Sequence, residues 1–91
     1  SRKQARAEAL RILSDQIAQK ALSLQELQSK EENLKRELAT AQEQHRIVDG
    51  LQKAGATSTN RVLDARAKVD RFRTELASAT QTIPITRAEL S

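Results

Sequence analysis

The residues that could do chemistry lie near the middle of this sequence. His45, the single histidine, Asp49 and Ser58 are a base, a carboxylate and a hydroxyl, which are the types combined in nucleophilic catalysis. Such a group needs an enclosing pocket, which a scaffold of two helices does not provide. A metal at His45 would need further ligands, and its neighbours Ala41, Gln42 and Asp49 offer a single carboxylate. We therefore expect neither an enzyme nor a metal site.

Other site types are also disfavoured. The chain has no cysteine, which excludes disulfides and thiolate metal sites. Its two glycines, Gly50 and Gly55, lack the spacing and the lysine-serine ending of a phosphate-binding loop. We expect no cofactor. Gly50, inside a predicted helix, is interpreted either as a tolerated weak point or as a place of close backbone approach.

The composition is that of long helices. Of 91 residues, 37% are hydrophobic and one, Phe72, is aromatic, which is too little bulky apolar material for a globular core. Ala, Leu, Glu, Gln, Lys and Arg dominate, as in coiled coils. No apolar run approaches the roughly 20 residues of a membrane span, and no signal peptide is recognisable.

A heptad pattern occupies the first half of the chain. Nine of the twelve positions that alternate by three and four residues are apolar; the twelve are Leu10, Leu13, Ile17, Lys20, Leu24, Leu27, Glu31, Leu34, Leu38, Ala41, His45 and Val48. The positions form a seam, the narrow apolar stripe along one side of a coiled-coil helix. We predict one helix over residues 3–54, about 75 Å long at 1.5 Å per residue.

A second seam follows after a short break. All seven of its positions are apolar: Val62, Ala65, Val69, Phe72, Leu76, Ala79 and Ile83. Gly55 is suited to the left-handed conformation that caps the C-terminus of the first helix. A side-chain hydroxyl or amide within residues 57–60 can serve as the N-cap of the second helix. The turn at residues 55–58 predicts a second helix over 59–83 that folds back, so that residues whose numbers add up to about 110 face each other.

The predicted fold class is all-α, a long antiparallel two-helix coiled-coil hairpin. Pro84 predicts a kink or a break, with residues 84–91 continuing beyond it. Leu10, Leu13 and Ile17 would face residues near 100, which this sequence does not contain. We therefore expect the single hairpin, residues 1–91, to be a fragment of a larger protein, with its exposed seam available for dimer contacts.

The excess of positive charge lies around the predicted turn. Residues 44–73 carry seven Lys or Arg against three Asp or Glu, whereas the whole chain has a net charge of +4. This pattern fits a solvated surface, an acidic partner or a nucleic-acid backbone. In the last case the contacts would come from Arg46, Lys53, Arg61, Arg66, Lys68, Arg71 and Arg73. The lack of an aromatic residue near the turn for base stacking, and the interspersed Asp49, Asp64 and Asp70, disfavour nucleic acid.

The stretch Leu51–Ala67, LQKAGATSTNRVLDARA, resembles the hairpin tip of HlyD-type membrane fusion proteins, the periplasmic adaptors of type I secretion systems and related tripartite efflux pumps. The likeness rests on a leucine that ends a long heptad helix, a lysine-glycine turn, then a small residue and a serine before a returning helix. The matching residues here are Leu51, Lys53, Gly55, Thr57 and Ser58, followed by Arg61, Val62, Leu63 and Asp64.

The resemblance implies a function. In that family an arginine, a leucine and a serine at the tip dock onto a TolC-like outer-membrane channel; here they correspond to Leu51, Ser58 and either Arg46 or Arg61. The partner-binding tip would comprise Arg46, Leu51, Gly55, Thr57, Ser58 and Arg61. The full-length protein would be anchored in the inner membrane, reach into the periplasm, contact an ABC transporter through other regions, and assemble, typically as a hexamer.

Two alternatives remain open at the level of sequence. One is a basic arm that binds tRNA, of the seryl-tRNA-synthetase type. The other is a purely structural coiled-coil spacer, whose turn would tolerate substitution.

Overall fold

The chain folds into two antiparallel α-helices. The computed structural model describes all 91 residues. Helix α1 is Arg2–Lys53 and helix α2 is Thr59–Glu89, connected by residues 54–58, and the molecule measures 79 × 18 × 14 Å. This confirms the predicted all-α hairpin. Neither helix has a stretch that combines the length and the apolarity needed to cross a membrane.

Helix α1 begins with a capping box. The Ser1 hydroxyl accepts a hydrogen bond from the backbone N–H of Gln4 at 3.3 Å, and the Gln4 side chain bonds back to the Ser1 backbone. These bonds satisfy N–H groups that have no partner within a first helical turn. The helix therefore begins at Arg2, one residue before its predicted start, and it ends at Lys53, one residue before its predicted end.

The core is the contact line between the two seams. The buried apolar residues all occupy predicted seam positions: Leu34, Ala41, Val62, Val69, Ala79 and Ile83. Thr86 is also buried and continues the α2 pattern by one step. Because only one side of each helix is covered, the remaining apolar seam positions beside α2 are half-buried. The stability of the hairpin thus rests on a narrow stripe of contacts.

Three side-chain contacts define the register of the helices. Thr80 donates a hydrogen bond to Glu31 at 2.9 Å, Gln52 donates one to Thr59 at 2.9 Å, and Lys20 forms an ion pair with Glu89. The residue numbers of these pairs add up to between 109 and 111, which confirms the predicted register. Glu31 occupies a seam position, and its carboxylate also lies 3.9 Å from the Lys35 ammonium.

Helix α2 continues through Pro84 without a break, where the sequence allowed a division at residue 83. The proline lacks an N–H, so one helical hydrogen bond is lost. Its ring lies on the exposed side of α2, while Ile83 and Thr86, on either side of it in the sequence, are buried against α1. We attribute the continuity of the helix to these contacts, which hold both segments against α1.

Helix α1 extends beyond α2 by about 19 residues, because α2 ends level with Lys20. Every residue from Ser1 to Gln19 is exposed. Leu10, Leu13 and Ile17 continue the seam there at 60%, 52% and 53% exposure, respectively. As predicted, these positions have no partner within the chain. We call residues 1–19 the overhang.

Candidate functional site at the hairpin tip

The turn between the helices is closed by backbone hydrogen bonds. The N–H of Ala56 donates to the Leu51 carbonyl at 2.7 Å, and the N–H of Gly55 donates to the Gln52 carbonyl at 2.9 Å. This pair of bonds is a Schellman motif, which requires a left-handed residue after the helix. Gly55 supplies it with φ 75°. The predicted role of Gly55 as a C-terminal cap is confirmed, and the backbone around Leu51 is therefore held in place.

Ser58 begins the returning helix. Its hydroxyl oxygen accepts a hydrogen bond from the backbone N–H of Arg61 at 3.3 Å, which makes it the N-cap of α2. One residue later, Thr59 receives the hydrogen bond from Gln52 that ties the two helix ends together. Ser58 is exposed, so its hydroxyl remains open to a partner, whereas Thr57 is half-buried.

The two sides of the tip differ, and heptad geometry defines them. Residues directly before seam positions lie on one side of an antiparallel pair, and residues directly after them lie on the other. Gln44 and Lys68, which precede seam positions on α1 and α2, line one common groove in agreement with this rule. Near the turn, we call the side that carries the residues preceding seam positions the Leu51 flank, after its most prominent member. The opposite side, which carries the residues following seam positions, is the Arg46 flank.

The Leu51 flank combines apolar and basic groups. Ile47 and Leu51, one helical turn apart, are 48% and 44% exposed. Arg61 and Lys68 lie on the same flank of α2, and neither forms a salt bridge within the chain. Leu51 and Arg61 are nearly level with each other in the register of the hairpin. This flank therefore presents an aliphatic pair and two unpaired cations, with Asp64, which precedes the seam position Ala65, between the cations on α2.

The cations of α1 on the Arg46 flank are neutralised locally. Arg46 donates two hydrogen bonds to Glu43, at 2.5 and 3.0 Å, and Lys53 lies 3.1 Å from the Asp49 carboxylate. The hydrogen bond from Arg46 lowers the pKa of the Glu43 carboxyl, and the same bond raises the pKa of Arg46. Since its guanidinium is already bound, Arg46 is the less available of the two predicted docking arginines.

The basic residues do not form one continuous stripe. Arg73 lies 3.8 Å from Asp70, and the Arg71 guanidinium lies over the Phe72 ring, 5.2 Å from its centroid. Arg66 has no salt bridge but lies on the opposite flank from Arg61. A nucleic-acid backbone laid along one flank would meet three or four of the seven cations, and Phe72, in the seam beneath Arg71, is not presented for base stacking.

His45 is placed in the seam rather than in a pocket. Its Nε2 atom is buried without a hydrogen-bond partner. In the register of the hairpin it faces Ala65, and the exposed Ser58 lies well beyond it towards the turn. The structure thus does not bring together His45, Asp49 and Ser58 as a catalytic group. No three His, Cys, Asp or Glu side chains come together in a way that could hold a metal ion.

Gly50 is exposed in α1, and a Cβ atom built there would meet nothing within 4 Å. The sequence allowed two interpretations of Gly50, a tolerated weak point or a place of close backbone approach. No close backbone approach to Gly50 occurs within this chain.

The structure brings Leu51, Gly55, Ser58 and Arg61 together at the tip, with Arg46 about one and a half helical turns down α1 on the other flank. The separation into two flanks follows from the heptad positions, but the engagement of Arg46 by Glu43 was not recognised from the sequence.

Comparison with protein-family models, with curated proteins and with solved structures gives no significant match to this chain.

Proposed function

We propose that the chain is the α-helical hairpin of a HlyD-type periplasmic adaptor, which docks by its tip onto a TolC-like outer-membrane channel. In this proposal the full-length protein is anchored in the inner membrane, works with an ABC transporter through regions outside the hairpin, and assembles as a hexamer. The function is adhesive and mechanical: the helices form an arm about 79 Å long, and the tip is its binding surface.

The observation that carries the proposal is the Leu51 flank. At the closed end of the arm it carries the exposed side chains of Ile47 and Leu51 and, on α2, Arg61, which forms no salt bridge within the chain. Exposed aliphatic side chains contribute to binding when they enter a groove of a partner, and a rim of cations speeds encounter with an acidic surface. The sequence likeness to adaptor tips centres on this same segment.

Pairing and position support Arg61 over Arg46 as the docking arginine. Arg61 is unpaired and shares a flank with Leu51, whereas Arg46 is held by Glu43 on the opposite flank. We therefore assign the docking role to Arg61. Ser58 contributes in two ways, since its oxygen caps α2 and its hydroxyl hydrogen is free to donate to a partner.

The proposal is tested by binding of the 91-residue chain to a purified TolC-like channel, measured by surface plasmon resonance. Leu51→Asp and Arg61→Glu should each weaken binding by about tenfold or more, because both remove direct contacts. The matched control is Leu63→Asp, which places the same charge on a leucine that is 50% exposed on the Arg46 flank. Circular dichroism should show unchanged helicity for all three variants.

Equal loss with Leu63→Asp, or no effect of Leu51→Asp, would contradict docking by the Leu51 flank. Ser58→Asp and Ser58→Ala separate the two roles of the serine, because aspartate preserves the N-cap and alanine does not. If the purified chain instead retained tRNA in a salt-sensitive manner, the basic-arm alternative would replace the adaptor proposal. If the channel bound neither the unsubstituted chain nor any variant, the spacer alternative would be favoured.

A further inference from the structure

We infer that the arm associates with a second copy of this chain, one side of the hairpin packing on the opposite side of the next, with the two copies parallel and in register. This contact is independent of the proposed docking at the tip. It follows from the order of the charged residues along the two helices and from which of them lack a partner within the chain.

The two sides of the arm are defined by the seams. The residues directly before seam positions form one side, of which the Leu51 flank is the part near the turn, and we call it the preceding side. The residues directly after seam positions form the opposite side, which we call the following side.

Opposite charges recur two residues apart in both helices. In α1 these pairs are Lys30 with Glu32 and Lys35 with Glu37. In α2 they are Asp64 with Arg66, Lys68 with Asp70, Arg73 with Glu75 and Arg87 with Glu89. All of these residues are exposed. Because residues two apart point to opposite sides of a helix, each pair has one member on the preceding side and one on the following side.

The charges of the preceding side lack partners within the chain. Of the pair members on this side, Glu89 is bound to Lys20, and five form no salt bridge: Lys30, Glu37, Asp64, Lys68 and Glu75. On the following side, by contrast, Lys35 lies 3.4 Å from Glu32 and Arg73 lies 3.8 Å from Asp70. The preceding side thus carries a row of charges that the chain itself does not neutralise.

A second copy supplies the opposite charges when it is stacked parallel and in register. Each helix then lies against the same helix of the second copy, and the two members of every pair face each other across the contact. Like charges occur at the same spacing in Arg66 with Lys68 and in Arg71 with Arg73. Each of these four residues also has an acidic residue of the other copy within two positions, so attraction outweighs repulsion.

Charge disfavours a two-fold pair that uses the preceding side of both copies. In a parallel pair of this kind, α1 would lie against α2 of the second copy, and Glu37 would meet Glu75 twice. Lys30 and Lys68 would then have no carboxylate opposite them. The stacked contact is instead heterologous, and because each copy has both sides, it repeats to close a ring or to extend a stack.

The contact is long enough for specific binding. It extends from the level of Glu89 to that of Asp64, about 38 Å at 1.5 Å per residue, and ends short of Leu51, which stays free to dock. With a cross-section of 18 × 14 Å, the contact measures about 500–700 Å² on each copy, which reaches the lower end of the roughly 600–1,000 Å² per partner of specific interfaces. Since exposed ion pairs contribute much of it, salt should weaken it.

Sedimentation velocity of the 91-residue chain, from about 10 µM to about 1 mM at about 20 mM salt, measures this association. We expect reversible oligomers whose association weakens by about tenfold or more when the salt is raised to about 500 mM. A chain that stays monomeric at the highest concentration and low salt, or that associates more strongly at high salt, would overturn the inference.

Reversing the charges of one side at a time identifies the surfaces. The double variant Glu37→Lys with Glu75→Lys makes the preceding side basic, and Lys35→Glu with Arg73→Glu makes the following side acidic. Each variant alone should self-associate about tenfold or more weakly, because like charges then meet across the contact. An equimolar mixture of the two should regain association, since the basic side of one variant meets the acidic side of the other.

The matched control uses adjacent residues. Lys35→Glu and Arg36→Glu make the same change of charge at one level of α1, but Arg36 lies on its outer side, away from both contact sides. Lys35→Glu should weaken association and Arg36→Glu should leave it within about twofold. Equal weakening by these two variants, or no recovery in the mixture of double variants, would overturn the stacked arrangement. Circular dichroism should show unchanged helicity for all variants, because every substituted residue is exposed.

Discussion

Replacing each of the two glycines by alanine should change the stability of the hairpin in opposite directions. Gly55 has φ 75°, a backbone conformation that costs an L-residue about 1–2 kcal/mol. Gly50 lies in α1 with a helical backbone, where alanine is favoured over glycine by about 1 kcal/mol. In both places a Cβ atom meets nothing within 4 Å, so steric clashes do not contribute. The difference in stability is therefore set by backbone conformation alone.

The expected magnitudes follow from these costs. Alanine restricts the unfolded chain relative to glycine by about 0.4–1 kcal/mol, which offsets part of the penalty at Gly55 and leaves about 1 kcal/mol of destabilisation. Gly50→Ala should stabilise the fold by about 1 kcal/mol, so that the two variants differ by about 2 kcal/mol. Gly55→Asn should lie between Gly55→Ala and the unsubstituted chain, because asparagine tolerates the left-handed region.

Urea denaturation followed by circular dichroism measures these effects. With a slope of about 1 kcal/mol per M for a chain of this size, the midpoints should move by about 1 M in opposite directions. The measurement is made at low protein concentration so that self-association does not contribute. A midpoint that moved in the same direction for both alanine variants would refute the left-handed turn at Gly55.

Three further predictions concern the seam and its flanks. Leu34→Ala should cost about 2–3 kcal/mol because this leucine is buried, whereas Leu13→Ala should cost less than about 0.5 kcal/mol, and urea titration of both measures the contrast. Thr80→Val should cost about 0.5–1 kcal/mol by removing the donor to the seam carboxylate, and a matching loss of protection from hydrogen exchange at that level of the hairpin would confirm its role in register. In an NMR titration the pKa of Glu43 should lie below the ordinary value of a glutamate, because Arg46 donates hydrogen bonds to it, and the pKa should rise in Arg46→Gln. Because the pKa of Glu43 is lowered in the folded state, its pair with Arg46 contributes to stability at pH values above the pKa of the same carboxyl in the unfolded chain. This contribution is lost as the pH falls through the pKa of Glu43 in the folded state. An unchanged titration of Glu43 in Arg46→Gln would refute the pairing.

Much of the fold follows from the spacing of apolar residues. A two-helix coiled coil has one contact line, and the heptad pattern names its members in order, which is why the buried residues Val62, Val69 and Ala79 could be predicted individually. The register also followed, since a turn of known position leaves little freedom in how the seams meet. The ends of α1 each differed by one residue, since local hydrogen bonds such as those of Ser1 decide them, whereas α2 ran six residues beyond its predicted end because Pro84 did not interrupt it.

The candidate site was less predictable for a physical reason. Arg46 and Arg61 are equivalent as residue types near a turn, and the heptad positions distinguish their flanks but not which of them finds a carboxylate partner. Arg46 has Glu43 one helical turn before it, whereas Arg61 follows the N-cap and has no acidic residue in the preceding turn of its helix. The proposed partner of the tip is a separate protein, so the residues that would recognise the tip do not belong to this sequence.

Thiol-directed photocrosslinking tests the docking of the tip most directly. Each variant carries a single thiol: Leu51→Cys places the probe on the Leu51 flank, and Leu22→Cys places it at a similarly exposed leucine far from the turn. When the labelled chains are mixed with a TolC-like channel and irradiated, the account predicts a crosslinked channel product from position 51 and none from position 22. Crosslinks of equal yield from both positions, or none from position 51, would contradict it.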